Sequence, residues 1–174
     1  WAESVRRAAA AIGWGTPLPP GRGRGIAVGF KSGATTGLSY STVRFLFDGS
    51  VIVYAGTSDM GQGARTIFAQ IAATELGSSL DRVTVVMGDT AIVPFDLQTS
   101  ASRSTVFMGT AIFRACAEIR EQVREMTARL HGVPEAEIAV ERGVVRMPGR
   151  EVPILEIVQA GLGRLRGELI GNGQ

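Results

Sequence analysis

The chain has 174 residues, of which 45% are hydrophobic and 20% are charged, and its mean hydropathy is +0.17. This profile excludes a disordered tail, and since no apolar run reaches about 18–20 residues, a membrane-spanning helix is not expected. The formal net charge is +2 and the arginines are scattered along the chain, so nucleic acid is not an expected partner.

The N-terminal part is predicted to be a short helix followed by a linker. Residues 2–12 are rich in alanine, and glycine and proline crowd residues 13–25. We therefore expect an N-terminal segment, residues 1–24, ahead of a domain that spans residues 25–174. The first residue is Trp1 rather than Met and no leader pattern follows it, so we expect a piece of a longer polypeptide.

The first half of the domain carries strand patterns. We predict strands over residues 25–30, 39–47 and 51–55. The last two flank Asp48-Gly49, a pair of residues that favours a hairpin turn.

The pattern then changes to helical spacing. It predicts a helix over residues 64–76, a buried strand over 83–87, a polar loop over 88–104 and a long helix over 105–130. The tail predicts a hairpin over residues 138–147, a helix over 153–160, and a strand around Gly167-Glu168. Strands followed by strand–helix units predict an α+β fold, a mixed-sheet α/β sandwich.

Residues 56–63 form the first segment that suggests chemistry. They read GTSDMGQG and nearly match the phosphate-binding frame G-x-x-x-x-G-K-[ST]. Gln62 and Gly63 replace the lysine and the hydroxyl of that frame, so nucleoside triphosphate hydrolysis is not expected. What remains is a helix N-terminus that could receive an anion, beside an amide that both donates and accepts hydrogen bonds. A tight turn that binds nothing explains the same pattern, and the residues leave both readings open.

The loop over residues 88–104 is the second such segment. Ser102, Ser104 and Thr105 crowd the predicted start of the long helix, where hydroxyls commonly cap backbone N–H groups. The small residues around Arg103 also describe a second anion-receptive helix N-terminus. Two such termini in one short domain favour a polyanionic cofactor.

Other polar residues are weaker candidates. Asp89 and Asp96 could pair for acid–base chemistry, but Asp89 in Gly-Asp-Thr is better explained as a turn former. His131 lies where the long helix is predicted to end, and a lone histidine argues against a metal site. Cys116 is expected in the core and, as the only cysteine, suits a reducing, cytoplasmic compartment. We also expect these apolar residues of the long helix in the core: Val106, Phe107, Ile112, Phe113, Ile119, Val123 and Leu130.

At the two segments the chain resembles the molybdenum-cofactor-binding large subunit of the xanthine dehydrogenase and aldehyde oxidase family. Met60-Gly61-Gln62-Gly63 and a downstream block from Asp89-Thr90 to Ser102-Arg103-Ser104-Thr105 carry the resemblance, which extends from about residue 20 to 170. It implies a molybdenum–molybdopterin cofactor, or its cytosine dinucleotide form, that hydroxylates an electron-poor C–H carbon. Iron–sulfur clusters and FAD on other domains or subunits would accept the electrons.

The resemblance also implies site residues. Gln62 would lie near the ligands of molybdenum without binding the metal, and the backbone from Ser102 to Thr105 would hold the pterin and its phosphate. The implied cofactor-binding residues are Gly61, Gln62, Gly63, Ser100, Ala101, Ser102, Arg103, Ser104 and Thr105. No catalytic residue is assigned in this chain.

The departures from the family pattern set the expected partners. The family's catalytic glutamate lies in a Gly-Glu context outside the matched region, and its role is not assigned to Gly167-Glu168, the only such pair here. The cysteine motifs of the iron–sulfur centres are absent from this sequence. We therefore expect the chain to act with the remainder of a large subunit, with iron–sulfur and FAD partners and a small-molecule substrate, and to be inactive alone. Xanthine, aldehydes, carbon monoxide, nicotinate and aromatic acyl-CoA compounds remain open as substrates. Two alternatives are a module that binds a phosphate-bearing ligand without redox chemistry and a structural lobe that shapes an interface.

Overall fold

The computed structural model describes residues 1–29, 36–163 and 167–174. Contacts between residues divide the chain into two units, Trp1–Gly33 and Ala34–Gln174. No helix in the described ranges is both long enough and apolar enough to cross a bilayer.

The first unit holds helix α1 (Ala2–Ala11), which confirms the N-terminal helix and buries none of its residues. In the loop that follows, the guanidinium of Arg24 donates to the carbonyl of Gly13 at 2.6 Å. The strand predicted over residues 25–30 is wrong for 25–29, which are irregular and mostly exposed, and residue 30 lies outside the described residues. Glycine in this stretch supplies no side chains for a sheet face to pack.

The second unit is the α+β fold that the sequence predicts. Short 3-10 turns precede β3 and β4, and a π-helical turn, Ser104–Met108, precedes the long helix. In chain order, its strands and helices are β1 (Ser41–Leu46), β2 (Val51–Ala55), α2 (Ala64–Leu76), β3 (Val83–Met87), α3 (Gly109–His131), β4 (Ala139–Glu141), β5 (Val144–Met147), β6 (Arg150–Pro153), α4 (Ile154–Leu162) and β7 (Glu168–Gly173). The predicted helices and hairpins are confirmed, whereas β6 was not predicted, because it is short and ends in proline.

The larger sheet is mixed, with the strand order β3-β2-β1-β7. β1 pairs antiparallel with β2 and with β7, while β2 pairs parallel with β3. Since parallel neighbours need a crossover, α2 connects β2 to β3 across one face of the sheet. β4, β5 and β6 form a separate antiparallel sheet.

The core lies between the larger sheet and the helices. Val43 and Phe45 of β1 are buried and alternate with half-buried neighbours, as the sequence predicts. Helix α3 packs on β7 and β1, and Cys116 of α3 is fully buried. Burial raises the pKa of Cys116 to about 12, so its thiol is not a nucleophile at neutral pH.

The predicted core stripe of the long helix is confirmed only in part. Ile112, Ile119 and Val123 are buried, and Phe107 is partly buried. Val106, Phe113 and Leu130 were predicted in the core, but they are 61%, 46% and 43% exposed. A helix presents one stripe to the sheet, and Val106 and Phe113 fall outside the stripe that Ile112, Ile119 and Val123 define. Leu130 continues that stripe, but it lies in the last turn of α3, beyond the last buried residue, Thr127.

Candidate functional site

The two candidate segments lie side by side and form a cleft of about 360 Å³. We call residues 56–63, between β2 and α2, the first wall, and residues 96–105, ahead of α3, the second wall. The volume lies at the lower end of the range of about 300–1,000 Å³ that is usual for ligand sites. The lining residues are Met60, Gln62, Thr99, Ser100, Ala101, Ser102, Ser104 and Thr105.

Asp59 organises the first wall. Its carboxylate accepts hydrogen bonds from the backbone N–H groups of Arg65 at 3.0 Å, Gly61 at 2.9 Å and Gly63 at 3.3 Å. The bonds from Arg65 and Gly61 lower the pKa of Asp59 below its usual value. These backbone N–H groups, which the sequence pattern predicted to bind an external anion, therefore already bind a carboxylate of the chain itself.

Gln62 is held in one orientation by its own loop. Its Oε1 accepts a hydrogen bond from the N–H of Met60 at 2.6 Å, and its Nε2 donates to the carbonyl of Ser58 at 2.9 Å. Because one partner can only donate and the other can only accept, these bonds fix which end of the amide carries the nitrogen. The second N–H of Nε2 is left for a group in the cleft.

The second wall carries backbone strain next to unused hydroxyls. Ala101 and Ser102 have φ angles of 48° and 59°, a left-handed conformation that costs about 1–3 kcal/mol for a residue other than glycine. The predicted long helix starts instead as a π-helical turn, a feature that is frequent at functional sites. No side chain caps that turn. Within the described part of the chain, no hydrogen bond is made by the hydroxyls of these second-wall residues: Ser100, Ser102, Ser104 and Thr105.

Arg103 points away from the cleft into the protein interior. Its side chain is 2% exposed, and its Nη1 lies 2.6 Å from Oδ1 of Asp96, which is itself 1% exposed. The remaining N–H groups of Nη1 and Nη2 reach the carbonyls of Gln98 and Leu38 and the hydroxyl of Ser39, at 2.8–3.1 Å, while the buried Nε makes no hydrogen bond. The guanidinium also lies over the ring of Phe107, 5.0 Å from its centroid. Arg103 therefore does not direct its charge into the cleft, and it is not among the lining residues.

Asp96 is an ionised carboxylate in the interior. Burial raises its pKa, but hydrogen bonds from Ser39, Thr57 and Arg103, together with the positive charge of Arg103, outweigh burial and hold the pKa below the usual value. Sequence reasoning considered Asp96 as an acid–base residue and did not anticipate this ion pair. The two residues are seven positions apart, and nothing in their spacing shows that both side chains turn inward.

Direct contacts join the two walls. The hydroxyl of Thr57 donates to Oδ2 of Asp96 at 2.6 Å, and the hydroxyl of Thr99 donates to the carbonyl of Ser58 at 2.9 Å. The N–H of Ser58 in turn donates to the hydroxyl of Thr99 at 3.0 Å. At Gly56 the backbones approach so closely that an added Cβ would lie 2.5 Å from the carbonyl oxygen of Pro94.

Substitution of Gly56 by alanine should move the walls apart. The new methyl group would meet backbone atoms, which cannot rotate away, so we expect a loss of about 1–3 kcal/mol of unfolding free energy. Urea denaturation of the chain measures the loss. Gly23→Ala is the control, because nothing lies within 4 Å of an added Cβ there. Equal stability of the two variants would contradict the proposed close approach.

The remaining sequence candidates lie outside the cleft. Asp89 forms a turn, as predicted, and accepts a hydrogen bond from the N–H of Ala91 at 2.9 Å. His131 is the last residue of α3, followed by Gly132 in the left-handed conformation. Among the described residues, no group of three or more His, Cys, Asp or Glu side chains is placed to hold a metal ion.

The donor set of the cleft suits the cofactor that the sequence resemblance implies. Its lining is built from hydroxyls, the amide of Gln62, the thioether of Met60 and the methyl group of Ala101, and it contains no carboxylate. Neutral donors and acceptors of this kind match the polar edge of a pterin, while the uncapped helix start favours a phosphate group. The residues present therefore fit a molybdenum–pterin, with Gln62 on one side and the second wall on the other.

Comparison with known proteins points in the same direction. Residues 3–173 match the family model described as molybdopterin cofactor-binding domain. A probable hypoxanthine oxidase of Escherichia coli is 31% identical over 179 residues, which cover 98% of this chain and 19% of that protein.

Solved structures share the fold. A crystal structure of a Cu,Mo-containing CO dehydrogenase superposes with a TM-score of 0.71 at 29% identity, over 78% of this chain and 18% of that one. Quinoline 2-oxidoreductase from Pseudomonas putida 86 gives a TM-score of 0.67 at 28% identity, over 80% of this chain and 19% of that one. The chain thus spans about a fifth of the length of the relatives it matches.

Proposed function

The chain belongs to the molybdopterin cofactor-binding domain family, and from this premise we propose that it positions a molybdenum–pterin cofactor in a molybdenum hydroxylase. Its homologues are molybdenum oxidoreductases. The observation that carries the proposal is the cleft that brings Gln62 together with the second wall. We assign the binding role to residues 25–174.

The bound cofactor would supply oxidative hydroxylation of a C–H carbon, with electrons passing to iron–sulfur and FAD domains or subunits. In this proposal the chain's own residues bind and orient. The free N–H of Gln62 would be available to a ligand of the metal, and the small side chains of Ser100 and Ala101 would leave room beside it. The hydroxyls of Ser102, Ser104 and Thr105 and the uncapped backbone N–H groups would hold the pterin and its phosphate. Gly61 and Gly63 shape the turn that presents Gln62.

The alternative of a phosphate-binding module at Gly61–Gly63 is disfavoured by Asp59. Its carboxylate fills the position that a phosphate would take, and a phosphate brought there would meet like charge. No arginine or lysine lines the cleft in the described part of the chain to offset that repulsion. The alternative of a structural lobe predicts no role for the unused hydroxyls.

We expect the 174-residue chain to be catalytically inactive alone, because it holds one set of cofactor contacts and no catalytic base. The test is expression of the complete gene with its neighbours, followed by metal and pterin analysis and a screen of C–H substrates. Absence of molybdenum from the complete protein would overturn the proposed function. Turnover by the 174-residue chain supplied with cofactor would overturn its inactivity.

Substitution of Gln62 by alanine in the complete enzyme should lower cofactor retention or turnover by about 10- to 100-fold, the usual effect of losing a group that orients a metal's ligands. Gln62→Glu should behave like Gln62→Ala, because a carboxylate cannot donate to the carbonyl of Ser58. Metal analysis and steady-state kinetics measure both effects.

Gln70→Ala is the matched control, since Gln70 is an exposed glutamine on α2 outside the cleft. Unchanged molybdenum content and activity in Gln62→Ala would favour the structural-lobe alternative.

A further inference from the structure

We propose that Asp96, Arg103 and Thr57 form a buried clamp that sets the geometry of the cleft and thereby controls how firmly the cofactor is retained. The inference rests on the proposed function for its ligand, but the clamp itself is a property of the chain. None of the three side chains lines the cleft, so they act as positioning residues.

A single carboxylate connects the two walls. Oδ1 of Asp96 binds Arg103 in the second wall at 2.6 Å, and Oδ2 binds the hydroxyl of Thr57 in the first wall at 2.6 Å. Asp96 is fixed in turn by the hydroxyl of Ser39, which donates to Oδ1 at 2.6 Å. Because both oxygens are used, the Asp96 side chain cannot rotate without breaking its bond to Thr57 in the first wall or its bonds to Arg103 and Ser39.

The bonds of Arg103 also restrain the neighbouring residues that face the cleft. Arg103 is buried, whereas its neighbours in the chain, Ser102 and Ser104, both line the cleft. Because the Arg103 side chain points into the interior, these two neighbours face the cleft. Ala101 and Ser102 hold left-handed φ angles that the chain would leave if it were free to relax. The bond between Arg103 and Asp96, together with the five side-chain bonds that the pair makes to other residues, restrains this strained segment.

Thr57 is the component that can be changed most cleanly. It is 1% exposed, and its hydroxyl makes one hydrogen bond, to Asp96. Thr57→Val keeps the shape and removes only that bond, which leaves the ion pair in place. Thr127→Val is the matched control, because Thr127 is also fully buried and its hydroxyl also makes one hydrogen bond, to the carbonyl of Val123 in α3.

The experiment uses the complete protein and two readouts. The first is molybdenum and pterin content after dialysis, and the second is amide hydrogen exchange without cofactor. For Thr57→Val we expect about tenfold weaker retention and roughly fivefold faster exchange of amides in residues 57–63 and 97–105, the factor expected for the loss of one hydrogen bond. Thr57→Ser, which restores the hydroxyl, should return both values to those of the wild type.

The outcomes separate the two claims. If Thr57→Val exchanges and retains cofactor like the wild type, or if Thr127→Val loses cofactor to the same extent, the clamp is overturned. If the wild type holds no molybdenum and no pterin, the proposed function is overturned, and the exchange measurement still decides whether the clamp orders the walls.

Discussion

Replacement of Arg103 by methionine is expected to lower the unfolding free energy of the 174-residue chain by about 3–5 kcal/mol, the usual result of breaking a buried ion pair. Methionine keeps much of the apolar volume against Phe107, so the loss reports the charge and its hydrogen bonds. Asp96, which is 1% exposed, is left without its counter-ion. Urea denaturation at neutral pH measures the change.

The pH dependence of the stability difference between Arg103→Met and the wild type is a second test of this prediction. In the wild type the pKa of Asp96 is lowered, so its contribution to stability is complete above the unfolded value of about 3.9 and is lost as the pH falls through the folded value. In Arg103→Met, burial is no longer opposed by a positive charge, so the pKa of Asp96 should rise. The difference in unfolding free energy between the wild type and Arg103→Met should therefore be largest at neutral pH and become smaller as the pH falls.

Two comparisons complete the test. Arg129→Met removes an exposed arginine from α3 and should change stability by no more than about 0.5 kcal/mol. The double variant Asp96→Asn, Arg103→Met should recover part of the loss, because it removes the uncompensated charge. A deficit that is independent of pH and unchanged in the double variant would show that packing, rather than charge, explains the effect.

Substitution of Gly171 by alanine is the second large effect that we expect. Gly171 lies in β7, and an added Cβ would be 1.9 Å from the carbonyl oxygen of Ala115 in α3. The severe clash is with backbone atoms of Ala115, which cannot rotate away as a side chain could, so the helix must lift from the sheet. We expect a loss of more than about 3 kcal/mol of unfolding free energy, above the usual range of about 1–3 kcal/mol for overpacking.

Gly167→Ala is the control for this substitution. An added Cβ at Gly167 would meet only methyl groups of Leu162 at 3.8 Å, an ordinary contact. Gly173→Ala should resemble Gly171→Ala, since its Cβ would lie 1.9 Å from the carbonyl oxygen of Ala111. If thermal unfolding shows Gly171→Ala to be as stable as Gly167→Ala, helix α3 does not pack on β7 as closely as described.

The sequence by itself determined the order and type of most elements in the second unit. Hydrophobic periodicity is a local property, and it places β2 and α2 at the bounds that the structure shows, Val51–Ala55 and Ala64–Leu76. The same reasoning, together with the family resemblance, selected the two segments that meet at the cleft. The local pattern was sufficient to find these two segments, because each adjoins a helix or strand whose position the pattern predicts.

The role of each residue in those segments depends on contacts that form only in the folded chain. Asp59, which the sequence reasoning passed over, closes the helix N-terminus that had been assigned to an anion. Arg103 is buried against Asp96, and Gly171 allows α3 to approach β7. Each of these roles depends on a contact with a residue distant in sequence or on a backbone angle. The spacing of residue types along the chain does not predict such contacts or angles.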